Sequence, residues 1–173
     1  MEGHSTMGKL GQQQAGPGRK GLIQDLTRAY ADEWHAHYNY SFVANTISGP
    51  ASPAVIQVLN RKIGQALLHA NRLAARIISL GGMPVAKLTD LPEHATDKPF
   101  KLPQDVRDID GALKAVLDAE RTSIRTYREL YGKTAENDPV TQALVLEFLR
   151  EAIEGEDELE RTLGRPAPEM DGQ

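Results

Sequence analysis

The stretch LIQDLTRAYADEWHAHYNYSFVANTIS, residues 22–48, decides the fold. Leu26, Tyr30, Glu33, His37, Tyr40, Ala44 and Ile47 follow one another at steps of four and three. That spacing places them on one face of a helix, because side chains three and four apart stand above each other at 3.6 residues per turn. Gly49-Pro50 closes the segment. A helix of this length reaches about 40 Å at ~1.5 Å per residue. The polar members of the stripe, Glu33 and His37, stand one turn apart where an apolar residue is the rule.

The same period recurs three times. Ile56, Leu59, Ile63, Ala66, Ala70, Leu73, Ile77 and Leu80 mark a second helix over about 53–80, stopped by Gly81-Gly82 and Pro84. Ile109, Leu113, Val116, Glu120, Ile124 and Tyr127 mark a third over about 106–131. Asp138 reads as an N-cap with Pro139 in the first turn of a fourth, which carries Val145, Phe148, Ala152, Gly155, Leu159 and Leu163. Residues 83–104 contain four prolines and no period, so they form a connection. No strand pattern competes. Two helical hairpins joined by one crossover of about 22 residues predict an all-α, antiparallel four-helix bundle over 22–164. Residues 1–21, rich in Gly and Gln, and residues 165–173 read as a flexible N-terminal tail and a C-terminal tail.

Composition narrows the function. The chain has 173 residues, 40% apolar and 25% charged, and a formal charge of −4. A broad nucleic-acid-binding face does not fit that balance, although Lys9, Arg19 and Lys20 make the tail mildly basic. No apolar run is long enough for a membrane helix. With no cysteine there is no disulfide, thiolate metal site or cysteine nucleophile. No secretory leader is visible, and a cytoplasmic location is the expectation.

The chemistry sits where the apolar period breaks. Glu33 and His37 are inward on helix 1, Glu120 is inward on helix 3, and His69 lies beside the helix 2 stripe. Carboxylates in a bundle core are costly unless paired or bound to metal. Two carboxylates and two imidazoles suit iron, manganese or zinc. The plainer alternatives are a hydrogen-bonded core His37, Glu33 paired with Arg72 or Arg76, and Glu120 paired with Arg121 or Arg125. The acidic run Glu151, Glu154, Glu156, Asp157, Glu158 and Glu160 reads as a solvated face, or as the lining of an interior. Leu146, Leu149 and Ile153 form a second apolar stripe suited to a subunit contact.

ADEWHAHYNY (31–40), LLHANRLAARIISLGGMP (67–84), LKAVLDAERTSIRTYREL (113–130) and DPVTQALVLEFLREAIEGEDELERTL (138–163) resemble, in order, the four helices of bacterioferritins and Dps-like ferritins. The resemblance implies a ferritin-like bundle, iron storage or detoxification by ferrous oxidation, and a homo-oligomer from a dimer up to a cage. Six residues hold two irons in that family. Glu33, His69 and Glu120 match three of them. Ala66, Ala152 and Gly155 stand where the other three belong, and the two lost glutamates are the metal bridges. Without bridging charge two close cations repel each other. The expectation is therefore an altered ferroxidase centre, mononuclear or inactive, with His37 as an added ligand and Tyr40 as a redox or hydrogen-bond neighbour. Leu67 replaces the haem-ligating Met of bacterioferritins, so no haem is expected. The alternatives are a non-catalytic cage or binding subunit, or a DNA-protecting protein using its N-terminal tail.

Overall fold

A computed structural model describes residues 16, 18–96 and 103–164. Its long helices are α1 (Arg19–Thr46), α2 (Ser52–Ser79), α4 (Ile109–Thr134) and α5 (Pro139–Thr162), with a single-turn α3 (Leu91–His94) in the crossover. The described residues contain no strand. The helices pack as two hairpins, α1 with α2 and α4 with α5. None of the helices is long and apolar enough to cross a membrane, among the described residues.

Helix ends follow local chemistry. Gly81, with φ of 82°, takes the left-handed cap that closes α2. The Gly82 amide then donates to Ile77 O at 2.9 Å. Asp138 Oδ1 accepts from the Thr141 amide at 3.0 Å and starts α5 as the sequence predicts.

Two helix starts and the crossover differ from the sequence reading. Helix α1 begins at Arg19, so the last residues of the expected tail are helical; residues 1–15, 17 and 165–173 lie outside the described residues. Helix α4 begins at Ile109 rather than Val106, because Asp108 caps the Gly111 amide at 2.9 Å. Val106 O instead accepts from the Ser48 amide at 3.0 Å, which ties the end of the crossover to the α1–α2 loop. The crossover is also not without structure. A 3-10 turn over Leu88–Asp90 leads into α3, and Leu91 is buried.

The core is divided lengthwise. One apolar cluster, including Val43, Leu59, Leu113 and Leu159, fills one end of the bundle. A second, including Leu26, Leu73, Ile77 and Phe148, fills the other. Between them runs a polar layer of buried Glu33, Lys62, His69 and Glu120. Apolar packing on both sides excludes water and fixes these side chains, which makes their pairing energetically decisive.

Candidate metal centre

Each long helix contributes to the layer. Glu33 comes from α1, Lys62 and His69 from α2, Glu120 from α4, and Glu151 from α5. Glu33 and Glu120, expected inward from periodicity, and His69, expected beside the helix 2 stripe, border a common polar cavity of about 20 Å³, room for a single water. Ala66 and Ala152 also border it. A larger cavity of about 50 Å³ between α1 and α4 shares Glu33, Ala36, Ser123 and Tyr127 with it and runs outward past Asp32, His35 and Asn39.

Glu120 faces an ammonium. Its Oε1 lies 3.2 Å from Lys62 Nζ and accepts the Tyr40 hydroxyl at 3.1 Å. Burial pushes the Glu120 carboxyl above its ordinary range, and Lys62 and Tyr40 only partly offset that push. Neither Arg121 nor Arg125 supplies the expected partner. Arg121 reaches out to Glu156 and Glu160 instead.

His69 is held between two carboxylates. Its Nδ1 lies 3.2 Å from Glu33 Oε1 and its Nε2 lies 2.7 Å from Glu151 Oε2. Gln65 donates to the same Glu151 oxygen at 2.6 Å. Both ring nitrogens face acceptors, so the arrangement selects the doubly protonated imidazolium. Burial opposes that charge, but the bonds and charges of Glu33 and Glu151 together outweigh it and hold His69 above the usual histidine range. Phe148 stacks on the ring at 3.9 Å between centroids. The Tyr127 hydroxyl donates to Glu33 Oε1. Burial, then the Glu33 charge, push the Tyr127 phenol well above its ordinary value, so it remains a donor.

His37 does not join this group. Its Nδ1 lies 3.0 Å from the Ile63 carbonyl, which only accepts, so that nitrogen carries the proton. Arg72 and Arg76 also leave Glu33 alone, pairing with Glu147 and Asp138.

Periodicity misses two residues of the layer. Lys62 is hidden in the sequence because Ile63, beside it, continues the apolar stripe. Yet Leu59, Lys62, Ala66, His69 and Leu73 also follow steps of three and four, and all five are buried, while Ile63 is half-buried. Glu151 reads as part of the acidic face of α5, although it stands beside Ala152 and reaches His69.

The ferritin-like domain family matches residues 23–167. The chain belongs to the ferritin-like family. The "DNA protection during starvation protein" of Pyrococcus furiosus is 30% identical over 147 residues, covering 84% of this chain and 79% of that one. The bacterioferritin-related dodecameric thioferritin of Bacteroides fragilis superposes with a TM-score of 0.80 at 29% identity, over 84% of this chain and 86% of that one. Dps from Thermosynechococcus elongatus shares the fold, with a TM-score of 0.78 at 18% identity over 88% of this chain and 96% of that one.

The residues in this ferritin-like centre do not fit a two-metal group. Among the described residues no three His, Asp or Glu side chains are disposed to hold an ion. Both His69 nitrogens are engaged by carboxylates, and Glu120 is engaged by Lys62. Protein cations stand among the carboxylates that metals would otherwise neutralise.

Proposed function

We propose that this chain is a subunit of a homo-oligomeric ferritin-like shell that stores or detoxifies iron in the cytoplasm, with an intrasubunit centre altered to the point that it no longer oxidises ferrous iron. Iron is then the cargo of the shell rather than a resident of the bundle. The observation that carries this reading is the Lys62–Glu120 pair, 3.2 Å apart and buried, in place of a bridged metal pair. Ala66, Ala152 and Gly155 support it, because none offers a donor to a second ion. The name of the Bacteroides thioferritin, a dodecamer, supports the assembly, at 29% identity over 84% of this chain.

The outward face of the α2–α5 pair carries paired charges, Arg72 with Glu147 and Arg61 with Glu158. Those carboxylates are already neutralised by arginine, so collecting cations on an interior wall falls to the exposed Glu154 and Asp157 of α5. The test is analytical ultracentrifugation of the full chain, followed by ferrous loading in air and counting of iron per particle. A discrete oligomer that retains many irons per subunit supports the reading. A monomer, or a shell that retains none, overturns it.

The name of the Pyrococcus relative favours a second reading, protection of DNA. For this chain it rests on the basic residues Lys9, Arg19 and Lys20 at the N-terminal end. Gel shifts with duplex DNA at low salt, using the full chain and one lacking residues 1–20, decide it: a shift lost on deletion supports the reading, and no shift, or one that survives deletion, removes it.

A further inference from the structure

We infer that the outward face of α2 seats a second copy of this chain, packed antiparallel against the same helix across a two-fold axis close to Asn71. This deepens the proposed function: it rests on that reading of the chain as a subunit of a homo-oligomer and names the surface that pairs two subunits.

Charge marks the face. From Trp34 to Ser79 the sequence has no Asp or Glu. Its basic residues there, Arg61, Lys62, Arg72 and Arg76, pair with Glu158, Glu120, Glu147 and Asp138, all from α4, α5 or the cap of α5. Every charge of α2 is thus turned toward the other hairpin, and the outward side is left without any. Yet the α1–α2 hairpin exposes Leu68 by 53%, Ile78 by 58%, Tyr38 by 69% and Phe42 by 45%. Large apolar and aromatic side chains with no charge among them are the composition of an interface core, not of a wetted surface. The apolar stripe of α5 differs, because its exposed member, Ile153, stands among exposed Arg150, Glu154 and Asp157.

Size says what fits. Gly64, Leu68, Asn71, Ala75 and Ile78 follow one another at steps of four, three, four and three, and all are exposed. They form the crest of α2, opposite its buried face. Along the helix the crest runs small, large, Asn, small, large. A second α2 running the other way presents the reverse order. With the two Asn71 side chains at the axis, each Leu68 falls over the other copy's Ala75, and each Ile78 over the other copy's Gly64. Large side chains then enter the gaps that small ones leave, as ridges enter grooves between packed helices. Beyond its own helix, no atom of the described residues lies within 4 Å of the place a Gly64 Cβ would take, so that gap is open to an incoming side chain. The contact is isologous, one patch serving both subunits. Each Asn71 carboxamide offers both donor and acceptor to its copy, and a polar pair on a helix seam fixes register. An uncharged, self-complementary face selects a copy of itself over a polyanion or a charged protein.

The experiment is sedimentation velocity of the full chain over a dilution series, at low salt and at about 1 M salt, where surface ion pairs are screened. The unmodified chain is expected to remain at least a pair in both. Leu68→Glu buries an uncompensated carboxylate in each half of the contact. It weakens pairing by at least about thirtyfold, so monomers appear on dilution while the helical circular dichroism is unchanged. Adding Ala75→Lys sets an ammonium opposite that carboxylate in the antiparallel register and restores the pair at low salt. Ile153→Glu, on α5, leaves the pair intact. The inference is overturned if Leu68→Glu associates as the unmodified chain does, if Ala75→Lys fails to restore the pair, or if Ile153→Glu rather than Leu68→Glu yields monomers. An unmodified chain that is monomeric also overturns it, and flotation of that monomer with phosphatidylcholine vesicles would assign the face to lipid instead. Should Leu68→Glu not fold, Ala75→Glu, which sets the same charge opposite Leu68, takes its place, with Leu68→Lys as the restoring change. Iron retention is counted separately. Pairs that hold no iron leave this inference standing and remove the storage reading, while iron-retaining particles indifferent to Leu68→Glu do the reverse.

Discussion

Lys62 Nζ, from α2, meets Glu120 Oε1, from α4, at 3.2 Å in the middle of the bundle, with both side chains almost wholly shielded from water. Each charge would be expensive alone at that depth. A buried pair seldom adds much to stability over an apolar replacement, but breaking it by removing one member is costly. The pair is therefore better read as a specification of what occupies the centre than as a source of stability.

Gly155→Ala tests that specification through its sign. On helix propensity alone the change stabilises a mid-helix position by about 1 kcal/mol. Here the new Cβ would fall 2.6 Å from Glu120 Oε2 and would also press on Lys62 Nζ, forcing the pair apart. We predict net destabilisation of about 1–3 kcal/mol by chemical denaturation. Stabilisation by the propensity increment would show that the ammonium does not occupy that space.

Arg76 and Asp138 bind the end of α2 to the start of α5. Arg76 Nη2 contacts both Asp138 oxygens, at 2.8 and 2.6 Å, and its Nε donates to Thr141 Oγ1 at 2.7 Å. Asp138 also caps α5. Arg76→Met should cost about 3 kcal/mol, because it leaves a buried carboxylate without its cation. Burial raises the Asp138 carboxyl, but the bonds from Arg76 and Thr141 outweigh it and hold the group below its ordinary value. A depressed carboxyl contributes stability that is present above about pH 3.9 and is lost as pH falls through the folded value. Arg76→Met should flatten this acid limb. An unchanged limb in denaturation curves would contradict the assignment.

The four helices and their order were legible in the sequence because apolar spacing and Gly, Pro and Asp signals are local, although α4 runs past Gly132, the expected stop, to Thr134. Inward Glu33 and Glu120 were legible for the same reason, since each interrupts a clean stripe. What those carboxylates bind was not. Lys62 and Ile63 are neighbours, and only packing against α4 and α5 decides which of them turns inward. Ser48 bonding Val106 and Glu151 reaching His69 join residues far apart in the chain, so no window of sequence contains them. His37 shows the converse: spacing puts it on the Glu33 face, yet the nearby Ile63 carbonyl claims its Nδ1 proton.

His69 gives a second pH signature of opposite sign. Its proton is held more firmly in the folded chain than in the unfolded one, by Glu33 and Glu151 against the cost of burial. That contribution is complete below about pH 6.5 and disappears as pH rises through the folded value. Stability of the unmodified chain should therefore fall between neutral and mildly alkaline pH relative to His69→Gln. Denaturation midpoints at pH 6 and pH 9 check this. A gap between the two chains that widens in favour of histidine at pH 9 would contradict it.

Rapid mixing of the assembled protein with ferrous iron in aerated buffer tests the account most directly. If protein cations occupy the centre, absorbance growth follows the slow buffer rate at low loading, with no break at any fixed ratio of iron to subunit. A fast phase saturating at two irons per subunit would contradict the account, because it requires the two-metal centre that the Lys62–Glu120 pair displaces.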